Sequence, residues 1–225
     1  MKIKCKLYNE PDYSLNAQQQ ILYNRGIPVE KQEEWLNAGW GNMISYKEMC
    51  DPALDKIIEI VHRCVGSNES IIINIDCDVD GYTSAVIFIN FMYHHYPEYT
   101  KSNIKWIHHQ GKQHGLADIM DEIIEASPSV AFCADSSSND IEQHKVLAEH
   151  NIECVILDHH EVSIDIKDSP AYIVNIQEND YPNKTLTGAG VVFKFIEAYS
   201  DKYHLDSYWK ELSDLAFIGD CGDMA

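Results

Sequence analysis

The sequence predicts an α/β fold: a parallel sheet flanked by helices, preceded by a helical extension. Three observations carry this. Short runs of four to six apolar, β-branched residues recur through the last two thirds of the chain. They alternate with segments of helical periodicity, the pattern of right-handed βαβ units. Three of the runs end directly on Asp or His, where a parallel sheet gathers its ligand groups.

In chain order, Gln18 to Asn24 and Val29 to Leu36 read as polar helices, with Pro28 at a helix start. Gly39-Trp40-Gly41-Asn42 reads as a loop. Pro52 to Val65 is helical, because Leu54, Ile57, Ile58, Val61 and Val65 share a face, and Gly66-Ser67-Asn68 ends it. Ser70 to Ile75 is then a buried strand and Thr83 to Tyr96 an apolar helix. Ile104 to His108, Val130 to Ala134 and Ile152 to Leu157 are further strands, separated by helices over Leu116 to Ala126 and Asp140 to His150. Tyr172 to Asn175 is a fifth strand, followed by helices over Gly190 to Tyr199 and Ser207 to Ile218. The expected division is a helical extension over 1–68 and an α/β catalytic domain over 69–225.

The 225 residues suffice for one large or two small domains. With 45% hydrophobic and 24% charged residues the composition is globular, which argues against disorder. No apolar run approaches the roughly 20 residues of a membrane-spanning helix, and no apolar stretch follows the basic N-terminus, so neither a membrane partner nor a secretory signal is expected. Seven cysteines without a CxxC pair suit reduced thiols and a cytoplasmic location. The formal charge of −19 argues against coating duplex DNA by bulk charge. It leaves room for a nucleic-acid enzyme whose clustered carboxylates hold divalent metals.

The strand ends carry the chemistry. Asp76-Cys77-Asp78-Val79-Asp80-Gly81 follows the first strand, Asp135-Ser136-Ser137-Ser138 the third, and Asp158-His159-His160 the fourth. A further pair, Asp220 and Asp223, lies at the end of the chain. Carboxylates at one sheet edge repel and raise one another's pKa values. Divalent cations relieve this, and oxygen ligands with a few imidazoles suit Mn²⁺ or Mg²⁺. Two such ions serve phosphoester hydrolysis. A calcium loop starting at Asp76 is excluded, because its twelfth position is Ile87 rather than Glu. Elsewhere, His94-His95 reads as a pair favoured by a helix C-terminus, Trp106 as core, and Cys77 as pointing away from its Asp neighbours.

These motifs resemble the DHH phosphoesterase superfamily, and within it RecJ-type single-strand-specific exonucleases. Asp76 to Ser84 is similar to the first family motif, and Leu186 to Lys194 to the RecJ Gly-Ala-Gly-Val-Ala-Phe-Lys segment. Asn24-Arg25-Gly26-Ile27 resembles a RecJ N-terminal segment, and Asp223 falls at the last motif Asp. The resemblance covers nearly the whole chain. It implies a DHH-type catalytic domain acting as a 5′-3′ single-stranded DNA exonuclease, through two Mn²⁺ or Mg²⁺ ions and a bridging hydroxide, in DNA repair. Asp78 and Asp80 would each bind one metal, Asp135 would bridge both, and His159 and Asp223 would complete the second. Asp76 would be a further ligand or a supporting group. Asp158 would orient a histidine, and His160 would contact the scissile phosphate or assist the leaving oxygen. Gly188 and Gly190 would let backbone approach a phosphate, with Lys112 or His114 as further phosphate contacts.

Departures from the pattern are Asn74, where many DHH enzymes have His, and Asp135-Ser136-Ser137, where RecJ proteins read Asp-Cys-Gly. RecJ proteins continue into a DHH-associated domain, which this chain is expected to lack as a truncated piece; a natural short form and a partner protein completing the cleft are the other readings. Two alternative functions stay open: hydrolysis of short oligonucleotides or cyclic dinucleotides, and a catalytically weak replication or repair scaffold.

Overall fold

The computed structural model describes residues 12–109 and 114–224. They form two compact units, one through Ile44 and one from Ser45. In the first, α1 (Ala17–Asn24) and α2 (Val29–Leu36) pack around Leu22 and Gln32. The buried Gln32 amide donates to the carbonyls of Gln19 and Ile27, at 3.0 and 3.2 Å. Asn16 caps α1 reciprocally with Gln19, which satisfies two orphan N–H groups at the helix start.

The second unit begins upstream of the expected boundary at residue 69. Helix α3 (Pro52–Ser67), assigned from sequence to the extension, packs on the sheet and on a later helix of this unit. Its apolar stripe is the reason: Ile57, Ile58, Ile60, Val61 and Cys64 are all buried, and the sheet face gives that stripe its cover.

The sheet has five parallel strands, β1 (Ile71–Ile75), β2 (Ile104–His108), β3 (Val130–Ala134), β4 (Glu153–Asp158) and β5 (Tyr172–Asn175), in the order β2-β1-β3-β4-β5. The remaining helices are α4 (Val79–His95), α5 (Pro97–Asn103), α6 (Met120–Ala126), α7 (Ile141–Glu149), α8 (Gly188–Lys202) and α9 (Ser213–Gly222). One face is covered by α4 and α8, where Phe88 stacks on Phe132 at 4.1 Å and Phe195 meets both rings. The other face packs Ile123 and Leu147, from α6 and α7, against Ala131, Cys133, Cys154 and Ile156.

Several elements differ from expectation, among them α5, a helix the sequence pattern did not predict, and α6, which starts at Met120 rather than Leu116. Helix α4 starts four residues early because Asp78 caps it, accepting the Gly81 N–H. The last predicted helix splits into a 3-10 segment, Ser207–Leu212, and α9. Trp106, expected in the core, is 57% exposed, because β2 is an edge strand whose outer face is only partly covered.

Strand order reverses between β1 and β3: the chain leaves β1 for β2 on one side and returns to β3 on the other. The crevice at the carboxyl ends of those two strands is the topological switch point, where open α/β sheets bind ligands.

Candidate metal centre

Register fixes which residues meet in that crevice. Ile75 pairs with His108 and Ala134, Ala134 with Leu157, and Asp158 with Asn175. The next position along each strand therefore forms one row, His109-Asp76-Asp135-Asp158-Asn175. All five are buried. The ladder continues into the row, since the Asp135 N–H donates to the Leu157 carbonyl at 2.8 Å. Asp135 has φ of +66°, a left-handed conformation that few side chains tolerate and that strains the backbone where function needs it.

Burying carboxylates without partners is costly unless a cation joins them. Asp76 Oδ1 and both oxygens of Asp135 are buried without a hydrogen bond among the described residues. Burial, with Asp80 and Asp78 alongside, pushes the Asp135 carboxyl up to about 11. Burial also raises Asp76, against the opposing pull of His114. Oxygens of Asp76, Asp78 and Asp135 lie within 4.8 Å of one another, and so do ligand atoms of Asp135, His159 and His160. Asp135 belongs to both groups. Orphaned oxygens joined by imidazoles are the donor set that divalent cations such as Mn²⁺ and Mg²⁺ accept, so the residues fit the metals the sequence implied.

The supporting contacts are specific. Both Asp80 oxygens accept from the α8 N-terminus: Oδ2 from the Gly188 N–H at 2.6 Å, Oδ1 from the Ala189 N–H at 2.9 Å. His159 Nε2 lies 3.1 Å from Asp135 Oδ1 and 3.7 Å from Asp80 Oδ2. Asp158 binds its own loop and the one after β3, accepting the N–H groups of His159, His160 and Ser138 and pairing with His160 Nδ1 at 2.8 Å. Burial alone would raise Asp158, but the His160 ring and these N–H groups outweigh it and hold the carboxyl at about 2. The same pair raises His160.

Asp76, Asp78, Asp80, Asp135, His159 and His160 thus converge, with Asp158 behind them. Asp223 does not join them in the same way: it is the exposed cap of α9. The α9 carboxylate that faces the cluster is Asp220, which accepts from Thr187 Oγ1 at 2.9 Å and is raised by burial, with Asp80 adding. Gly188 and Gly190 depart from the expected phosphate role. Their N–H groups are spent on Asp80 and on Thr187 Oγ1, and both residues are buried. The absent side chain matters instead: a Cβ on Gly188 would lie 2.4 Å from the Asp135 Cβ. His114 Nδ1 pairs with Asp76 Oδ2 at 2.7 Å, and Cys77 Sγ lies 3.9 Å from His114 Nε2 rather than turning away. Lys112 lies outside the described residues. Sequence reasoning missed Asn175, whose amide donates to Ser138 Oγ and the His160 carbonyl, and Gln177, which donates to the His159 carbonyl. Asn175 ending the fifth apolar run was the available signal.

The DHH family, N-terminal domain, matches residues 70–219, two thirds of the chain. The chain belongs to the DHH family. It is 32% identical over 224 residues, 99% of its length, to YorK of Bacillus subtilis (strain 168), named as a putative SPbeta prophage-derived single-strand DNA-specific exonuclease. The single-stranded-DNA-specific exonuclease RecJ of the same organism is 27% identical over 168 residues, 73% of this chain. The chain spans 37% of the length of YorK and 20% of that RecJ. Among solved structures, RecJ of Thermus thermophilus in complex with Mn²⁺ superposes with a TM-score of 0.71 at 20% identity, over 92% of this chain and 28% of that one. An exonuclease RecJ bound to manganese gives 0.67 at 20% identity, over 77% and 43%. The DHH-type fold is thereby shown.

Proposed function

We propose that the chain is the catalytic core of a metal-dependent phosphodiesterase that degrades single-stranded DNA from the 5′ end. The observation that carries this is Asp135, a buried carboxylate without a hydrogen bond among the described residues and common to two groups of possible metal ligands at the switch point. The names of the DHH relatives support single-stranded DNA as substrate.

Asp76, Asp78, Asp135 and His159 would hold two Mn²⁺ or Mg²⁺ ions, with Asp135 common to both. Asp80 adds charge to the cluster while its oxygens accept from the α8 N-terminus. Bound there, divalent ions supply charge neutralisation and a lowered water pKa. Asp158 fixes His160 through Nδ1, which leaves Nε2 to carry a proton. The half-exposed ring sits beside His159, with centroids 4.5 Å apart. From there His160 binds the scissile phosphate and hands its proton to the leaving oxygen.

The test is a Mn²⁺-dependent assay on 5′-labelled single strands, duplex DNA and oligonucleotides of two to five nucleotides, with wild type and Asp135→Ala. Metal-dependent loss of the 5′ label from long single strands, abolished in Asp135→Ala, is expected. Preference for the shortest substrates would replace this reading with a short-oligonucleotide hydrolase, and strand binding without cleavage would favour the scaffold.

A further inference from the structure

At the far end of α4 the chain builds a second cluster. His94 and His95 close that helix, roughly 22 Å from Asp80 at 1.5 Å per residue. Their adjacency alone marks only a favourable helix C-terminus. The fold adds Asp206 from more than a hundred residues away. His94 Nε2 lies 3.2 Å from Asp206 Oδ2, and His95 Nε2 3.8 Å from Asp206 Oδ1. All three ligand atoms fit within 4.8 Å.

The individual rings are held in place. The His95 side chain is only 7% exposed, and its Nε2 is buried without a hydrogen bond among the described residues while facing the carboxylate. Phe91 meets the His95 ring edge-on at 4.7 Å. His94 stacks on Tyr208 at 3.8 Å, nearly parallel. Asp206 is fixed as the cap of the 3-10 segment, since its Oδ1 accepts the Tyr208 N–H at 3.0 Å. Burial lowers the His95 pKa, which favours the neutral imidazole that metals bind.

A tetrahedral ion with bonds near 2.1 Å sets its ligand atoms roughly 3.4 Å apart. The His94 Nε2–Asp206 Oδ2 separation of 3.2 Å is close to that edge, and His95 Nε2 lies 3.8 Å from the other oxygen of the same carboxylate. We propose that His94, His95 and Asp206 form a second divalent-metal site, of zinc class, that ties the end of α4 to the segment entering α9. Two imidazoles and one carboxylate select zinc over the hard cations that suit the Asp76–Asp135 site. The exposed side of Asp206 leaves the fourth position to water. Because α4 and α9 both border the carboxylate cluster, the ion would brace that wall from the opposite end.

The experiment uses the full chain carrying Asp135→Asn, which weakens the carboxylate site, and adds Asp206→Asn or His94→Gln. Asn retains helix-capping ability and His94 is partly exposed, so both variants should keep the far-UV spectrum of the parent. Bound zinc is measured by equilibrium dialysis, with Co²⁺ absorption as a reporter of tetrahedral coordination. One zinc equivalent in the parent, bound at least tenfold more weakly in either added variant with loss of the Co²⁺ bands, is expected. Equal zinc binding in all three proteins, or no zinc in the parent, overturns the proposal.

Discussion

Asp135 concentrates the conflict that defines the centre. Its carboxyl is ordinary in the unfolded chain but pushed up to about 11 when buried beside Asp80. A raised acid stabilises the fold fully below its unfolded pKa, and that stability drains away as pH rises toward the folded value. The metal-free protein should thus lose stability from about pH 4 upward through this residue. Metal binding must displace the same proton, so Mn²⁺ should raise Tm more at pH 8 than at pH 5.5, and Asp135→Asn should flatten the difference. Losing one outer partner of a metal ligand costs roughly 10–100-fold in metal affinity, so losing Asp135 itself should cost at least that. Thermal melts against pH with and without Mn²⁺ check both. His160 is shifted in the same direction. Asp158 raises it, so its protonated form persists to higher pH than a free histidine. Asp158→Asn should lower the His160 pKa, seen directly by NMR titration, and move the alkaline fall of the pH–rate profile to lower pH. An unmoved profile would remove His160 as proton donor.

Helix termini and glycines decide how closely the elements approach this cluster. The apolar runs made the strand ends legible, because three of the runs stop on an Asp and parallel register then aligns those stops in one row. The partners of that row were not legible, because they come from helix packing across about a hundred residues. Nothing local says that the α8 N-terminus holds Asp80, or that Asp220 rather than Asp223 faces it. The glycines report that packing. Gly188→Ala would put a Cβ 2.4 Å from the Asp135 side chain, and Gly219→Ala one 2.5 Å from Asp80 Oδ1. Overpacking of this kind costs roughly 1–3 kcal/mol. Both should lower Tm and shrink its rise with Mn²⁺, because α8 or α9 must retreat from the carboxylates. Gly66→Ala is the contrast. Its added Cβ, on α3, meets nothing within 4 Å among the described residues, so it should stabilise by roughly 0.5–1 kcal/mol and leave the Mn²⁺ response alone. If Gly188→Ala behaved like Gly66→Ala, the close approach of α8 to Asp135 would be refuted.

On the proposed function, the formal charge of −19 bears on how a DNA strand would reach the site. Carboxylates that draw metals sit on a chain that repels polyanions at long range, and two divalent ions offset about four charges. Most nucleic-acid proteins neutralise phosphates with a basic face, so their binding to single strands falls with salt at a slope of about −0.7 per phosphate contact. Here the far field has the other sign. Its reach shrinks from about 30 Å at 0.01 M ionic strength to about 10 Å at 0.1 M. Screening should therefore favour encounter: kcat/KM on long single strands, at saturating Mn²⁺, should rise or hold level between those two concentrations. The dependence should be weaker for substrates of two or three nucleotides, which carry little charge into that field. Initial rates at subsaturating substrate over a KCl series decide the matter. A steep fall with salt on long strands would mean that a local basic track governs capture in place of the net charge.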